Sequence, residues 1–180
     1  MNRKINYHIA VTLDGYICHQ DASIDGFLME GPHADDFVSS LQNYDAVLMG
    51  SKTYQFGFQF GLEPGQPAYP GLHHYVFSRS LSFESSDSVT LVNTSVCDKV
   101  NELRNMNGKD IWLCGGGELA GYLLNKGLID TLTVKVNPIL FGSGRQLFCG
   151  LNNPVSLTHT SSKTYPNGVV LNEYLINKNM

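Results

Sequence analysis

Apolar residues recur along the chain with two periods, and the points where the period changes divide it into strands and helices. From Lys4 to Leu13, Ile5, Tyr7, Ile9, Val11 and Leu13 alternate with Asn6, His8, Ala10 and Thr12. A repeat of two predicts a strand with unlike faces, and Asp14-Gly15 ends it as a turn. Residues 19 to 33 are polar and aperiodic and lead into Pro32-His33-Ala34-Asp35-Asp36. Proline and acids suit a first helical turn, and Phe37, Val38 and Leu41 then supply an apolar stripe. Asp45 to Gly50 is a short buried strand that runs into a helix start at Ser51-Lys52-Thr53-Tyr54.

Glu63 to Gly71 is crowded with proline and glycine and must be a loop. Strands are predicted at His74 to Phe77 and Val89 to Val92, with a turn at Ser78-Arg79-Ser80. Val96, Val100 and Leu103 mark a helix by their spacing. Ile111 to Cys114 is another buried strand, followed by Gly115-Gly116-Gly117 and a helix with Leu119, Ala120, Leu123 and Leu124 inward, stopped at Gly127. The last third changes character: Leu132, Val134 and Val136 alternate, and two strand-like runs, Ser156 to Lys163 and Val169 to Ile176, flank Pro166-Asn167-Gly168. This predicts an α/β fold with an antiparallel C-terminal hairpin.

Composition narrows the class. Of 180 residues, 42% are hydrophobic and 16% charged, enough to bury a core and within the size of one domain over 1–180. The net charge is −4 and the basic residues are scattered, so no basic nucleic-acid footprint is expected. The longest apolar runs, Ala46 to Met49 and Ile111 to Cys114, are far too short for a membrane span or a signal peptide, which predicts a cytoplasmic protein. Cys18, Cys97, Cys114 and Cys149 form no CxxC pair, and the six histidines form no HExxH or i, i+4 pair. Reduced thiols and no metal site are the expectation.

The triple glycine between a buried strand and an amphipathic helix is the strongest chemical signal, because backbone amides at a helix N-terminus can approach a phosphate there. Gly115, Gly117 and Ala120 formally fit G-x-G-x-x-A, but the next strand closes at Val136-Asn137-Pro138 without the acid of a dinucleotide fingerprint. Tight strand-to-helix packing is the competing explanation. Gly50 with Thr53, and Ser78-Arg79-Ser80, are two further polar strand ends; three such ends in one crevice point to a nucleotide with several phosphates. Asp35 and Asp36 either complement a helix dipole or place in a semi-apolar cleft a carboxyl of raised pKa that hands over a proton.

Read together, Ala10 to Ile17, Val47 to Tyr54, Ser78 to Ser80, Trp112 to Leu119, Gly127 to Asp130 and Pro138 to Gly144 form an ordered set covering nearly the whole chain. The set resembles the dihydrofolate reductase superfamily, in particular the branch typified by the C-terminal reductase domain of the bifunctional riboflavin-biosynthesis protein (RibD C-terminal-like). The resemblance implies a three-layer fold around a mostly parallel, twisted eight-stranded sheet with flanking helices, an NADPH cleft, and hydride transfer to a heterocyclic or ribosyl substrate. It implies that Ala10 and Ile17 border the nicotinamide, that Gly50, Lys52 and Thr53 meet the pyrophosphate, and that Ser78 and Arg79 approach the adenosine 2′-phosphate. Gly115, Gly116, Gly117, Glu118 and Leu119 would complete the phosphate cradle, with Gly15 to Gly31 as a loop over the nicotinamide. A homodimer is also implied.

Three departures accompany it. Ser51 stands where the family often has Arg, so 2′-phosphate recognition rests on fewer cations. Gly127 precedes Leu128-Ile129-Asp130 where classical members have Thr supporting the pocket acid. Asp35 and Asp36 compete for the place of a single acid. The expectation is an NADPH-dependent reductase acting on a C=N or C=O carbon of a pyrimidine- or pteridine-like substrate, with Asp36, then Asp35, as the acid. The alternative is a nucleotide-binding module of the same fold without turnover.

Overall fold

The computed structural model describes residues 2–178. In chain order the elements are β1 (Ile5–Thr12), β2 (Tyr16–Cys18), α1 (Pro32–Ser40), β3 (Tyr44–Gly50), α2 (Ser51–Phe56), β4 (His73–Phe77), β5 (Val89–Val92), α3 (Val96–Asn105), β6 (Asp110–Gly115), α4 (Gly117–Asn125), β7 (Thr131–Asn137), β8 (Arg145–Gln146), β9 (Leu157–Thr164) and β10 (Val170–Ile176). Eight strands form one sheet in the order β5-β4-β3-β6-β1-β7-β10-β9. The first six run parallel, and β10 lies antiparallel to both β7 and β9. Fold class and terminal hairpin are as the sequence implied.

Alternation in β1 decides what each sheet face carries. Ile5, Tyr7 and Val11 join Leu113, Ala120, Leu123, Val100 and Leu103 in the core under α3 and α4. On the opposite face Val47, Met49, Tyr54 and Trp112 pack with Phe37 and Leu41 beside α1 and α2. Trp112 anchors that layer, donating its indole N–H to the His8 carbonyl at 2.9 Å.

Two details of the periodic reading change. Leu13 lies beyond the end of β1 and is 70% exposed, its N–H donating to the Ile139 carbonyl. Val38 is 64% exposed. The inward stripe of α1 is His33 and Phe37 followed by Leu41, spaced by four and therefore stacked on one side, with Val38 a further 100° round the helix. The segment after Gly15 is also not all loop: β2 pairs antiparallel with β8. That small ribbon ties the segment after β1 to the one after β7.

Candidate cofactor cleft

Adjacent strands β3 and β6 send the chain in opposite directions. From β3 it passes through α2 on the Trp112 face to β4; from β6 it passes through α4 on the other face to β7. Connections that diverge this way leave a crevice beyond the strand ends, the usual ligand position of open α/β sheets. Here both junctions are glycines. A Cβ on Gly50 would meet the Gly115 carbonyl oxygen and the Gly116 nitrogen at 3.7 Å, and one on Gly116 would stand 3.3 Å from Thr53 Oγ1. The Gly115–Gly116 peptide is cis, and Gly115 has φ +132. Gly116 caps α4 and Gly50 caps α2, neither with a side-chain hydrogen bond, so the first-turn amides are left for the crevice.

The crevice opens into a cavity of about 1820 Å³ whose walls include Ile17, Gly50, Lys52, Thr53, Ser78, Arg79, Gly116, Gly117, Glu118 and Leu119. Lys52 and Glu118 are exposed and ion-paired at 3.0 Å, bridging α2 and α4 across the mouth. Ser78 is buried, and its hydroxyl oxygen accepts the N–H groups of Ser80 and Leu81 at 3.2 and 2.9 Å, which braces the turn that presents the exposed Arg79. Ala10 and Gly115 do not reach the cavity wall. Ala10 pairs with Lys135, and Gly115 is backed by Ile9, 3.4 Å from where its Cβ would be.

The glycines divide between the two explanations. Gly116 faces Thr53 across the crevice, but a Cβ on Gly117 would lie 2.2 Å from the Gln146 carbonyl oxygen. Gly117 is thus required by a strap, residues 146–149, laid against α4; Cys149 N–H donates to the Gly117 carbonyl and Tyr7 Oη to that of Leu147. The strap follows β8 and brings Arg145 into the cavity wall, a cation outside the motifs read from the sequence; its Nη2 donates to the Gln20 carbonyl at 3.2 Å. At the inner end stand Tyr69 and Cys114. Burial pushes the Cys114 thiol up to about 12, so it is no nucleophile at neutral pH.

The acids lie elsewhere. Asp35 is exposed and lines neither large cavity. Asp36 borders a second cavity of about 650 Å³ under α1, where its Oδ2 is ion-paired with Lys163 Nζ and accepts from Tyr165 Oη at 2.7 Å. These two donors hold its carboxyl below the usual carboxylate range, which corrects the expectation of a raised pKa. Gly127 is likewise a helix stop with φ +66, the Leu128 N–H returning to the Leu123 carbonyl, and not a pocket position. Beside Ala10, in register on β7, stands Lys135.

Lys135 and His8 are the polar residues that sequence reasoning passed over. Lys135 Nζ lies 4.0 Å from the Phe37 ring centroid, and burial lowers its pKa to about 8. His8 is 5% exposed; burial, aided by the Lys135 charge, lowers it to about 3 and keeps it neutral. The available signal was the second phase of β7, in which Thr131, Thr133 and Lys135 alternate with its apolar residues. Among the described residues no group of three His, Cys, Asp or Glu is placed to hold a metal ion, and the cysteines are free. No helix among them is long and apolar enough to cross a membrane.

A mostly parallel eight-stranded sheet with an antiparallel C-terminal hairpin is the fold of the dihydrofolate-reductase-like proteins. Within that class the chain belongs to the RibD C-terminal domain family, whose model matches residues 3–171. It is 30% identical over 176 residues to the uncharacterized protein YyaP of Bacillus subtilis (strain 168), covering 93% of this chain and 92% of that one. A second protein of that organism, the uncharacterized YwjB, is 31% identical over 174 residues, 95% and 97% of the two chains. Among solved structures, a protein of Shewanella sp. PV-4 assigned by name to riboflavin biosynthesis superposes with a TM-score of 0.81 at 23% identity, covering 99% of this chain and 100% of that one. The diaminohydroxyphosphoribosylaminopyrimidine deaminase/5-amino-6-(5-phosphoribosylamino)uracil reductase of Thermotoga maritima gives 0.71 at 17%, covering 98% of this chain and 57% of that one. Dihydrofolate reductase from Enterococcus faecalis, complexed with NADP(H), gives 0.65 at 14% and covers 97% of each chain. These likenesses are of fold.

Proposed function

We propose that the protein is an NADPH-dependent reductase that delivers a hydride to a C=N or C=O carbon of a small heterocyclic, pyrimidine- or pteridine-like, or ribosyl substrate, similar to 5-amino-6-(5-phosphoribosylamino)uracil reductase. The observation that carries this reading is the face-to-face approach of the Gly50 and Gly116 junctions, a cradle that a side chain would fill. Its fit to a dinucleotide is chemical. The uncapped amides of α4 suit a pyrophosphate, and Arg79 at the end of β4 suits a 2′-phosphate. When bound, the cofactor supplies the hydride; the chain binds and orients. Ile17, on the ribbon tied down by β8, covers the nicotinamide end, and Lys52 with Glu118 closes the mouth.

Ala10 keeps its role behind the nicotinamide through the main chain beside Ile9, and Gly115 sets the turn. Asp36 acts by fixing Tyr165 and Lys163 against α1, with Asp35 outside the site. The tied-down Asp36 also favours a second reading, a nucleotide-binding module without turnover. Calorimetric titration with NADPH, followed by NADPH oxidation against a panel of pyrimidines and pteridines, separates the two. Binding with turnover establishes the reductase, binding alone the module, and no binding removes both. Gly116→Val should abolish most NADPH binding by pushing on Thr53. In this reading the chain is one cytoplasmic domain with a small-molecule substrate, paired as a homodimer through its exposed late strands; light scattering should return twice the mass of one chain.

A further inference from the structure

The cavity under α1 is lined by His8, whose buried Nε2 has no hydrogen-bond partner, and by Lys135, whose ammonium has no counter-charge among the described residues. We propose that it is a second binding site, for an anionic group, a carboxylate or a phosphate, held on Lys135 with His8 as a neutral partner.

His8 pairs with Thr133 and Ala10 with Lys135, so His8 and Lys135 stand on adjacent strands of the same sheet face, and both line the cavity. Among the described residues Lys135 Nζ has no ion-pair or hydrogen-bond partner, only the Phe37 ring at 4.0 Å. His8 is 5% exposed and its Nε2 is likewise without a partner. A buried polar atom without a partner costs free energy, and the half-buried Lys135 ammonium beside it has no counter-charge, so the two on one wall suit an anionic ligand that reaches both.

The acids around the cavity do not meet the need, because each is engaged elsewhere. Asp36 is held by Lys163 and Tyr165, Glu173 accepts from Ser161 Oγ at 2.7 Å, and Asp110 accepts from the Lys4 N–H at 3.1 Å. An ammonium left uncompensated by its own protein selects an anion. A neutral imidazole adds one N–H donor, and the Phe37 ring gives the body of the ligand an apolar contact. The cavity, about 650 Å³, exceeds the size of a bare ion.

A wall of rings separates this cavity from the large cleft. Phe37 packs on Trp112 with centroids 5.4 Å apart, and Trp112 on Tyr69 at 4.7 Å, which borders the cleft.

The test uses the full chain without cofactor, carrying lysine labelled with ¹³C at Cε, and assigns the Lys135 signal by its absence in Lys135→Met. Inorganic phosphate and benzoate are titrated separately. At least one should shift the Lys135 signal saturably, with the affinity falling tenfold or more in Lys135→Met and at least threefold in His8→Phe, and largely kept in Lys135→Arg. Saturation by phosphate alone assigns a phosphate-bearing ligand, and by benzoate alone a carboxylate. The proposal is overturned if neither anion moves the signal saturably, or if wild type and Lys135→Met bind equally by calorimetry. NADPH affinity, measured in parallel, should agree within twofold between wild type and Lys135→Met. Absence of NADPH binding in both would remove the reductase reading and leave the anion result standing.

Discussion

Gly121 and Cys149 touch backbone to backbone: a Cβ on Gly121 would stand 1.8 Å from the Cys149 carbonyl oxygen and 2.9 Å from its carbon. The strap that carries Cys149 continues from β8, whose pairing with β2 fixes the segment over the crevice. Gly121→Ala therefore has no flexible neighbour to displace and must lift the strap from α4. The expected cost is about 1–3 kcal/mol of stability, the range of core overpacking, with weaker NADPH binding as Ile17 loosens. Urea denaturation together with cofactor titration checks it. A variant as stable as wild type would mean that the strap moves freely.

Cofactor choice gives a second expectation. NADPH carries one phosphate more than NADH, with close to two negative charges, so discrimination needs a cation at that end. Lys52 is engaged with Glu118, which leaves Arg79 as the exposed cation of the β4 end. Arg79→Ala should weaken NADPH by about 1.5–3 kcal/mol and leave NADH nearly unchanged, and added salt should shrink the wild-type preference. Equal weakening of both cofactors would assign Arg79 to general support of the cleft.

Much of this was legible in the sequence, for a physical reason: strands buried on both faces leave strong apolar runs, and the strand ends are marked by glycine and hydroxyl residues. The order of β1, β3, β4, β5, β6 and β7 follows from such signals, and the hairpin of β9 and β10 from the turn residues Pro166-Asn167-Gly168 between them. The ribbon of β2 and β8 was not, because strands of three and two residues have no period to detect. Gly117 shows a further limit. Its absent side chain makes room for Gln146, a partner distant in sequence that composition cannot reveal. Lys135 reads in sequence as the polar phase of a half-exposed strand; only the approach of α1, which brings Phe37 under the ammonium, makes it a half-buried charge without a counter-charge. The same approach hands Asp36 to Lys163 on the hairpin, a pairing that no local pattern encodes.

Stability should depend on acid through His8. Its folded pKa of about 3 lies below the ordinary 6.5, so between those values the unfolded chain binds a proton that the native protein does not. Stability then rises with pH across this window, is lost on acidification from about 6.5 downward, and is level above it. His73 and His74 are also lowered by burial and act in the same direction. For His8 alone the effect across the window is on the order of a few kcal/mol. Denaturation of wild type and His8→Phe at pH 5 and 7.5 should give a smaller loss in the variant; equal losses would show that His8 titrates normally in the fold.

Lys135, without a partner, makes the opposite demand on stability from the paired, part-buried cations. Arg104 meets Asp130 at 3.1 Å, so truncating it should cost stability, whereas Lys135 has only an aromatic face to offset its desolvation. A folded pKa of about 8 against an ordinary 10.5 means that below pH 8 the native state carries the full cost of the ammonium. As pH rises from 8 to 10.5 the native protein releases this proton before the unfolded chain does, so the cost is progressively relieved. Methionine has nearly the same length, no charge, and packs well on an aromatic ring. Lys135→Met should therefore stabilise the protein at pH 7 by about 1–3 kcal/mol, and the gain should shrink toward zero near pH 10. Chemical denaturation of both proteins at the two pH values decides the matter. A variant less stable at pH 7, or a gain that does not change with pH, would mean that the ammonium is already satisfied within the fold, and with that the case for an anion at this site would go.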